Sequence, residues 1–339
     1  MQEKRCKIIA EIGVNHNGNP DLGRQLIDMA AEAGADAVKF QTFFAQELVT
    51  RSARKAAYQV ANTGKDDGQF AMLQALELSE ADFAAMKAHC EKRGIEFMST
   101  PFSEAAADLL GRVGVDCYKV SSGDLTHLPL LRHLARKGKP VILSSGMAVI
   151  SEVEEAVEAI RAEGNEQISI LHCVSNYPAA PEDCNLRAMD TLRAVFALPV
   201  GWSDHTMGPA ISLAAVARGA EIIEKHITLS RDMPGPDHLA SSEPAEFAEF
   251  VAGIRAVELA LGTGVKQPSA AERETARVGR RSVALRHDLA AGAVLRHEDL
   301  AILRPGTGLH PRELEHVIGR RLNRDLTEGS PLSLADLHV

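Results

Sequence analysis

Cysteine is sparse and unpaired in this 339-residue chain: Cys6, Cys90, Cys117, Cys173 and Cys184, with no CxxC spacing. An odd, scattered set argues against a disulfide framework and against a zinc ribbon. It points instead to a reducing cytoplasm. No run of 18 apolar residues occurs, so no membrane span is expected. The opening MQEKRCKIIAEIG also lacks the apolar stretch of a secretory signal. An excess of positive charge is missing too. The net charge is −9, and the residues from 278 onward carry nine Arg and no Lys against eight acidic side chains, +1, leaving −10 for the rest. Neither part offers the basic face that nucleic acid requires. An anionic ligand must therefore meet cations clustered locally. Aromatics are only 4%, with a single Trp, while 45% hydrophobic and 24% charged residues describe an ordinary globular chain. A chain of this length suggests about two domains and buries roughly three quarters of its unfolded surface without covalent staples.

What the chain does contain is alternation. Apolar runs such as IIAEIG, DAVKFQ, IEFMST, CYKVSS, PVILSS, ISILHC, LPVGWS and AEIIEKHI are separated by amphipathic stretches of helical period. Ser79 and Ser151 read as helix N-caps, and several helical stretches end on Gly. Eight strand–helix repeats predict an α/β fold, a (β/α)8 TIM barrel over residues 1–262. An open doubly wound sheet is the alternative, but no GxGxxG follows the first strand. Residues 263–277 read as a linker, and 278–339 as a small β-rich module with one short helix at PRELEHVIG. So small a unit is marginal alone and is expected to dock on something. More than thirty residues separate Gln41 from the helix near Ser79, which suggests a lid or a subunit contact.

Barrel chemistry belongs at the C-terminal ends of strands. Those ends here carry Glu11, Lys39 with Gln41, Thr100, Lys119 with Ser122, Ser144, Ser175–Asn176–Tyr177, Ser203–Asp204–His205, and Glu224 with His226. His205 and His226 end neighbouring strands and are placed to share a divalent metal; two hydrogen-bonded core histidines fit the same spacing. Lys119, Ser122, Ser144 and Ser203 form a cation-plus-hydroxyl set suited to phosphate, with Lys39 available for a carboxylate. The competing reading pairs both lysines internally with Glu11 and Glu224. Glu224 stands two residues before His226 on one strand face, in position to act as a general base on water. Trp202 reads as wall of this site, Cys117 and Cys173 as core, and His16 in VNHNG as a turn former.

At these residues the chain resembles the sialic acid synthase family, through IAEIGVNHNG, AVKFQTF, FMSTPF, YKVSSGDLTHLPLL, VILSSGM, SDHT, EKHITL and GPDH, followed by LRPGTG. The C-terminal module resembles the antifreeze-like (SAF) domain. The resemblance implies a transferase, acting in sialic acid and carbohydrate biosynthesis, that condenses phosphoenolpyruvate with N-acetylmannosamine to give N-acetylneuraminate and phosphate. The alternatives are a legionaminate or other nonulosonic acid synthase using a 2,4-diacetamido-6-deoxy hexose, and a sugar- or ice-binding protein without catalysis. It implies manganese, or else magnesium or cobalt, on His205 and His226. It assigns phosphoenolpyruvate to Lys39, Thr100, Lys119, Ser122, Ser144, Ser175 and Ser203, and the sugar to Gln41, Tyr177, Asp237 and Arg304. Glu11, Glu224 and Lys119 are the catalytic candidates. A homodimer with exchanged C-terminal domains is implied, Arg304 reaching a neighbouring active site. Two departures stand out: KVSSGD puts Ser121 where the family has Gly, and CVSNYP leaves the phosphate contact open between Ser175 and Asn176.

Overall fold

The computed structural model describes residues 5–55, 60 and 68–338, and part of the long segment after Gln41 lies outside them. Eight parallel strands close into a barrel in sequence order. They are β1 (Lys7–Gly13), β2 (Ala37–Thr42), β3 (Glu96–Pro101), β4 (Tyr118–Val120), β5 (Val141–Ser144), β6 (Ile168–Cys173), β7 (Val200–Asp204) and β8 (Ile222–His226). Closure is made by β1 against β8, where Glu11 registers with His226. This is the TIM barrel that the eight repeats predict.

Strand alternation sorts the side chains. One set points outward into the main core beneath the helices, with Ile8, Val38, Phe40, Tyr118, Leu143, Ile170, Trp202 and Ile223 fully or almost fully buried. The other set fills the barrel interior. Ile9, Ala37, Met98, Cys117, Ile142, Leu171 and Ile222 form an apolar floor. The remaining strand, β7, contributes Gly201, where a Cβ would meet the Ile222 carbonyl of β8 at 2.2 Å.

Local signals set the helix ends. Ser79 caps the helix Glu80–Arg93 in a reciprocal box with Asp82. Ser151 is not a cap: the helix Ile150–Arg161 starts earlier, and Val149 N–H donates to the Glu152 carboxylate at 2.8 Å. Between β2 and Ser79 the described residues include two short helices, Ala45–Leu48 and Gln69–Gln74. Their apolar faces form a small cluster with Val14 and Phe43.

The chain divides after Gly262 into two compact units. The stretch read as a linker is not all extended: Ser269 caps a helix over Ala270–Gly279. Beyond it, β9 (Ser282–Leu285) and β10 (Leu300–Leu303) pair antiparallel. They pack in a core of Val283, Leu285, Leu295, Leu300, Val317, Leu322 and Leu332. PRELEHVIG holds a 3-10 turn at Pro311–Glu313 and then the short helix Leu314–Val317. Among the described residues no helix is long and apolar enough to cross a membrane.

Candidate active site

Two residues beyond each floor position, the same face of each strand turns polar. Ile9 leads to Glu11, Ala37 to Lys39, Met98 to Thr100, Cys117 to Lys119, Ile142 to Ser144, Leu171 to Cys173, Gly201 to Ser203 and Ile222 to Glu224. All eight of these residues line a cavity of about 510 Å³ at the C-terminal mouth. One pleat higher, Gln41, Phe102, Ser121, Ser175, His205 and His226 face the same space.

The charged groups in this layer are almost completely buried. Lys39 Nζ lies 2.7 Å from Glu11 Oε2 and 3.8 Å from Glu224 Oε2, and donates to Thr100 Oγ1 at 3.0 Å. The internal pairing that competes with ligand binding is thus real for Lys39. Burial opposes its charge, but the two carboxylates hold its pKa above the ordinary value. Lys119 differs. Its ammonium donates to Ser144 Oγ at 2.5 Å and to the Val120 carbonyl at 2.9 Å, with no carboxylate within ion-pair distance among the described residues. Burial pushes its pKa down. A buried cation ringed by neutral oxygens is costly unless an anion joins it.

Burial raises Glu11 to about 7 against the pull of Lys39. Burial also opposes ionisation of Glu224, but Lys119 and Lys39 bring it below the usual carboxylate range, and Ser203 Oγ donates to its Oε1 at 3.0 Å. Gln41 Nε2 reaches Glu11 Oε1 at 3.4 Å. Asp237, buried in the loop after β8, is pushed up to about 6 by burial.

The hydroxyls converge on the β4–β6 side. Gly146 N–H donates to Ser122 Oγ at 3.0 Å, and Ser122 Oγ lies 3.2 Å from Cys173 Sγ. A Cβ on Gly146 would fall 2.4 Å from Ser175 Oγ, 2.8 Å from Ser122 Oγ and 2.9 Å from Cys173 Sγ, so a bare backbone is what lets the three gather. Ser175 faces this cavity, whereas Asn176 is exposed and lines a neighbouring groove. Ser121, the departure from the family text, donates to Asp124 Oδ2 at 2.6 Å.

The two imidazoles stand with ring centres 5.5 Å apart, and the Tyr177 ring is 4.1 Å from His205. His205 Nδ1 donates to the Val174 carbonyl at 2.6 Å, which fixes the tautomer and leaves Nε2 as a lone-pair donor. His226 Nδ1 is buried without a hydrogen-bond partner. Burial lowers both pKa values, keeping both rings neutral as metal ligation requires. These features fit a divalent ion held by two histidines. Among the described residues no group of three or more His, Cys, Asp or Glu forms a metal cluster.

Three readings change. Trp202 does not wall the cavity; it points outward, its ring 5.2 Å from His172 in the main core. Cys173 is not core but cavity lining, at the place where other strands bear hydroxyls or charges. Asp204 faces away from the cavity and pairs with Lys225. Sequence reasoning missed the apolar part of the lining, Val14, Met72, Leu73, Leu76 and Phe102, because apolar residues beside strand ends look like core. Arg304 is exposed on the C-terminal unit. His16 does shape its turn, its Nδ1 accepting from Gly18 N–H at 3.0 Å.

Residues 26–266 match the NeuB family and residues 280–338 the SAF domain. The chain is 47% identical over 331 residues to the N,N'-diacetyllegionaminic acid synthase of Legionella pneumophila, covering 96% of this chain and 93% of that protein. It is 35% identical over 320 residues to the N-acetylneuraminate-9-phosphate synthase of Homo sapiens, with 94% and 88% covered. Among solved structures, the N-acetylneuraminic acid (sialic acid) synthetase of Leptospira borgpetersenii aligns with a TM-score of 0.70 at 36% identity, covering 80% of this chain and 90% of that one.

Proposed function

The chain belongs to the NeuB family, and on that premise we propose that it condenses phosphoenolpyruvate with the open-chain aldehyde of an N-acyl amino hexose, giving a nonulosonic acid and phosphate. The observation that carries this reading is the polar layer: two buried ammonium groups among hydroxyls, one pleat below two neutral imidazoles, in one cavity. Of the sugars, the likeness at 47% identity to a legionaminic acid synthase favours a diacetamido hexose over N-acetylmannosamine.

Lys119 with Ser122, Ser144, Ser175 and Ser203 holds the phosphate, while Lys39 and Thr100 hold the carboxylate of phosphoenolpyruvate. Glu11 and Glu224 keep Lys39 in place until the ligand arrives. A divalent ion on His205 and His226, manganese or magnesium or cobalt, supplies Lewis-acid polarisation of the aldehyde oxygen when bound. C3 of phosphoenolpyruvate adds to the aldehyde carbon, the π pair of the C=O passing to its oxygen, which takes up a proton to become the product hydroxyl. Positive charge develops at C2 beside the carboxylate held by Lys39. Water adds to C2, its proton passing to a buried carboxylate, with Glu224 the nearest candidate to the imidazoles in sequence. The tetrahedral centre expels phosphate into the Lys119 cradle. Gln41, Tyr177 and Asp237 orient the sugar, and holding two substrates in attack geometry contributes roughly 7–11 kcal/mol to the barrier reduction. Arg304 completes the site of a second copy, in a homodimer that exchanges C-terminal domains.

The test is phosphate release with phosphoenolpyruvate, sugar and metal supplied together and singly, with product mass determined. Release only with all three supports the reading. Sugar binding without release would leave a binding protein, and phosphate release from phosphoenolpyruvate without sugar a hydrolase.

A further inference from the structure

The cavity has two unlike sides. Cations and hydroxyls occupy the polar layer, while above β1 and β3 the wall is mostly apolar: Val14 after β1, Phe102 after β3, and Met72, Leu73 and Leu76 from the helix Gln69–Gln74 and the turn beyond it, with Gln69 as the helix's polar member. This wall is anchored. The Ala75 carbonyl would lie 2.5 Å from a Cβ on Gly18, so the β1 loop packs directly beneath the segment. Glu77 accepts from Ala45 N–H at 2.6 Å, and the Phe102 ring meets Phe43 edge-on at 6.0 Å.

Charge sharpens the contrast. Among the described lining residues the cations are Lys39 and Lys119, and both are engaged in the polar layer. Glu11, Glu224 and Asp237 add negative charge to the same cavity. Within this described lining of one chain, a phosphorylated sugar end would face carboxylates and hydrocarbon.

The geometry points to Met72, Leu73 and Leu76 as specificity-determining residues that seat a methyl-bearing end of the sugar, remote from the aldehyde, and reject a phosphorylated or hydroxylated end. This inference rests on the condensation proposed above and names which sugar class the site accepts: a neutral 6-deoxy N-acyl amino hexose. A methyl group placed against such a wall changes kcat/KM by about 10–200-fold relative to an analogue without the apolar fit.

Three sugars test it with full-length, metal-loaded enzyme: the 2,4-diacetamido-6-deoxy hexose, N-acetylmannosamine and N-acetylmannosamine 6-phosphate. The wild type is expected to favour the first by about tenfold or more, with the phosphate ester weakest. Leu76→Ala and, at a less buried position, Met72→Thr are each expected to cut that preference by about tenfold, read as a ratio of kcat/KM values so that partial unfolding cancels. An unchanged ratio in both variants, or a wild type that turns over the 6-phosphate best, overturns the specificity assignment. Absence of phosphate release with all three sugars would overturn the underlying condensation instead.

Discussion

Lys225 Nζ lies 3.1 Å from Asp204 Oδ2, and both side chains are buried on the outer face of the strands whose next residues are His226 and His205. Asp204 also accepts from Thr206 N–H at 2.9 Å, Thr206 Oγ1 at 2.7 Å and Ser212 Oγ at 2.7 Å. Lys225 further donates to the Thr206 carbonyl. The pair ties the loop after β7 to β8 directly behind the two imidazoles. Removing one partner leaves an uncompensated buried charge, so Lys225→Met or Asp204→Leu is expected to cost about 3–5 kcal/mol in equilibrium urea unfolding. The double variant is expected to recover part of that loss. Additive losses would show that the ions do not act as a pair.

The cradle around Gly146 separates Ser175 from Asn176. Ser175→Ala and Gly146→Ala are expected to raise KM for phosphoenolpyruvate several-fold, since one removes a donor and the other forces three groups apart. Asn176→Ala, outside the cavity, is expected to leave that KM within about twofold. Initial rates of phosphate release decide, and a larger effect at Asn176 would reverse the assignment.

His205→Ala or His226→Ala is expected to reduce turnover to background and to abolish manganese binding measured by titration calorimetry. Full activity after exhaustive chelation would end the metal assignment.

Lys119→Ala is expected to lower kcat/KM for phosphoenolpyruvate by about 10²–10³-fold, the scale of losing a charge-directed contact in a buried site. Under the proposed domain exchange, Arg304→Ala is expected to be nearly inactive. Mixing the two inactive proteins with subunit exchange should restore up to about one quarter of wild-type activity, because random pairing leaves half the molecules mixed, each with one intact site. Exchange without recovery would argue against a shared site.

His16 makes a pH prediction. Burial takes its pKa from 6.5 down to about 4, with Asp82 opposing, and its buried Nε2 has no hydrogen-bond partner. The unfolded chain therefore binds a proton that the folded one refuses between these values. Stability present above pH 6.5 is lost as pH falls towards about 4, by roughly 3 kcal/mol from this residue. Urea midpoints at pH 7 and 4.5 measure it, and His16→Gln is expected to flatten the dependence. An equal slope in the variant would assign the effect elsewhere.

Much of the barrel was legible because its strands advertise themselves twice: a buried apolar run, then a hydrogen-bonding residue at the end. That second signal located Lys119, Ser144 and Glu224. It also misled, because proximity to a strand end does not say which face a side chain takes. Asp204 was grouped with Ser203 and His205, yet strand alternation turns it outward to Lys225. Trp202 differs from its reading as wall for the same reason: alternation turns its ring outward against His172. Cys173 was passed over because a thiol reads as core, although its position two residues past Leu171 matched the polar set. The apolar wall was hidden more deeply, since no residue pattern distinguishes a leucine that packs on protein from one that waits for a methyl group. Ser151 shows the limit of cap signals, where the carboxylate of Glu152 closes the helix end two residues early, at Val149.

The spacing between the hydrophobic floor and the reactive tier has a consequence for how such a scaffold changes. Architecture and reactivity sit on alternate rungs of the same eight ladders, separated by one pleat. Substitutions at the upper rung can retune what the mouth captures while the lower rung goes on closing the cylinder.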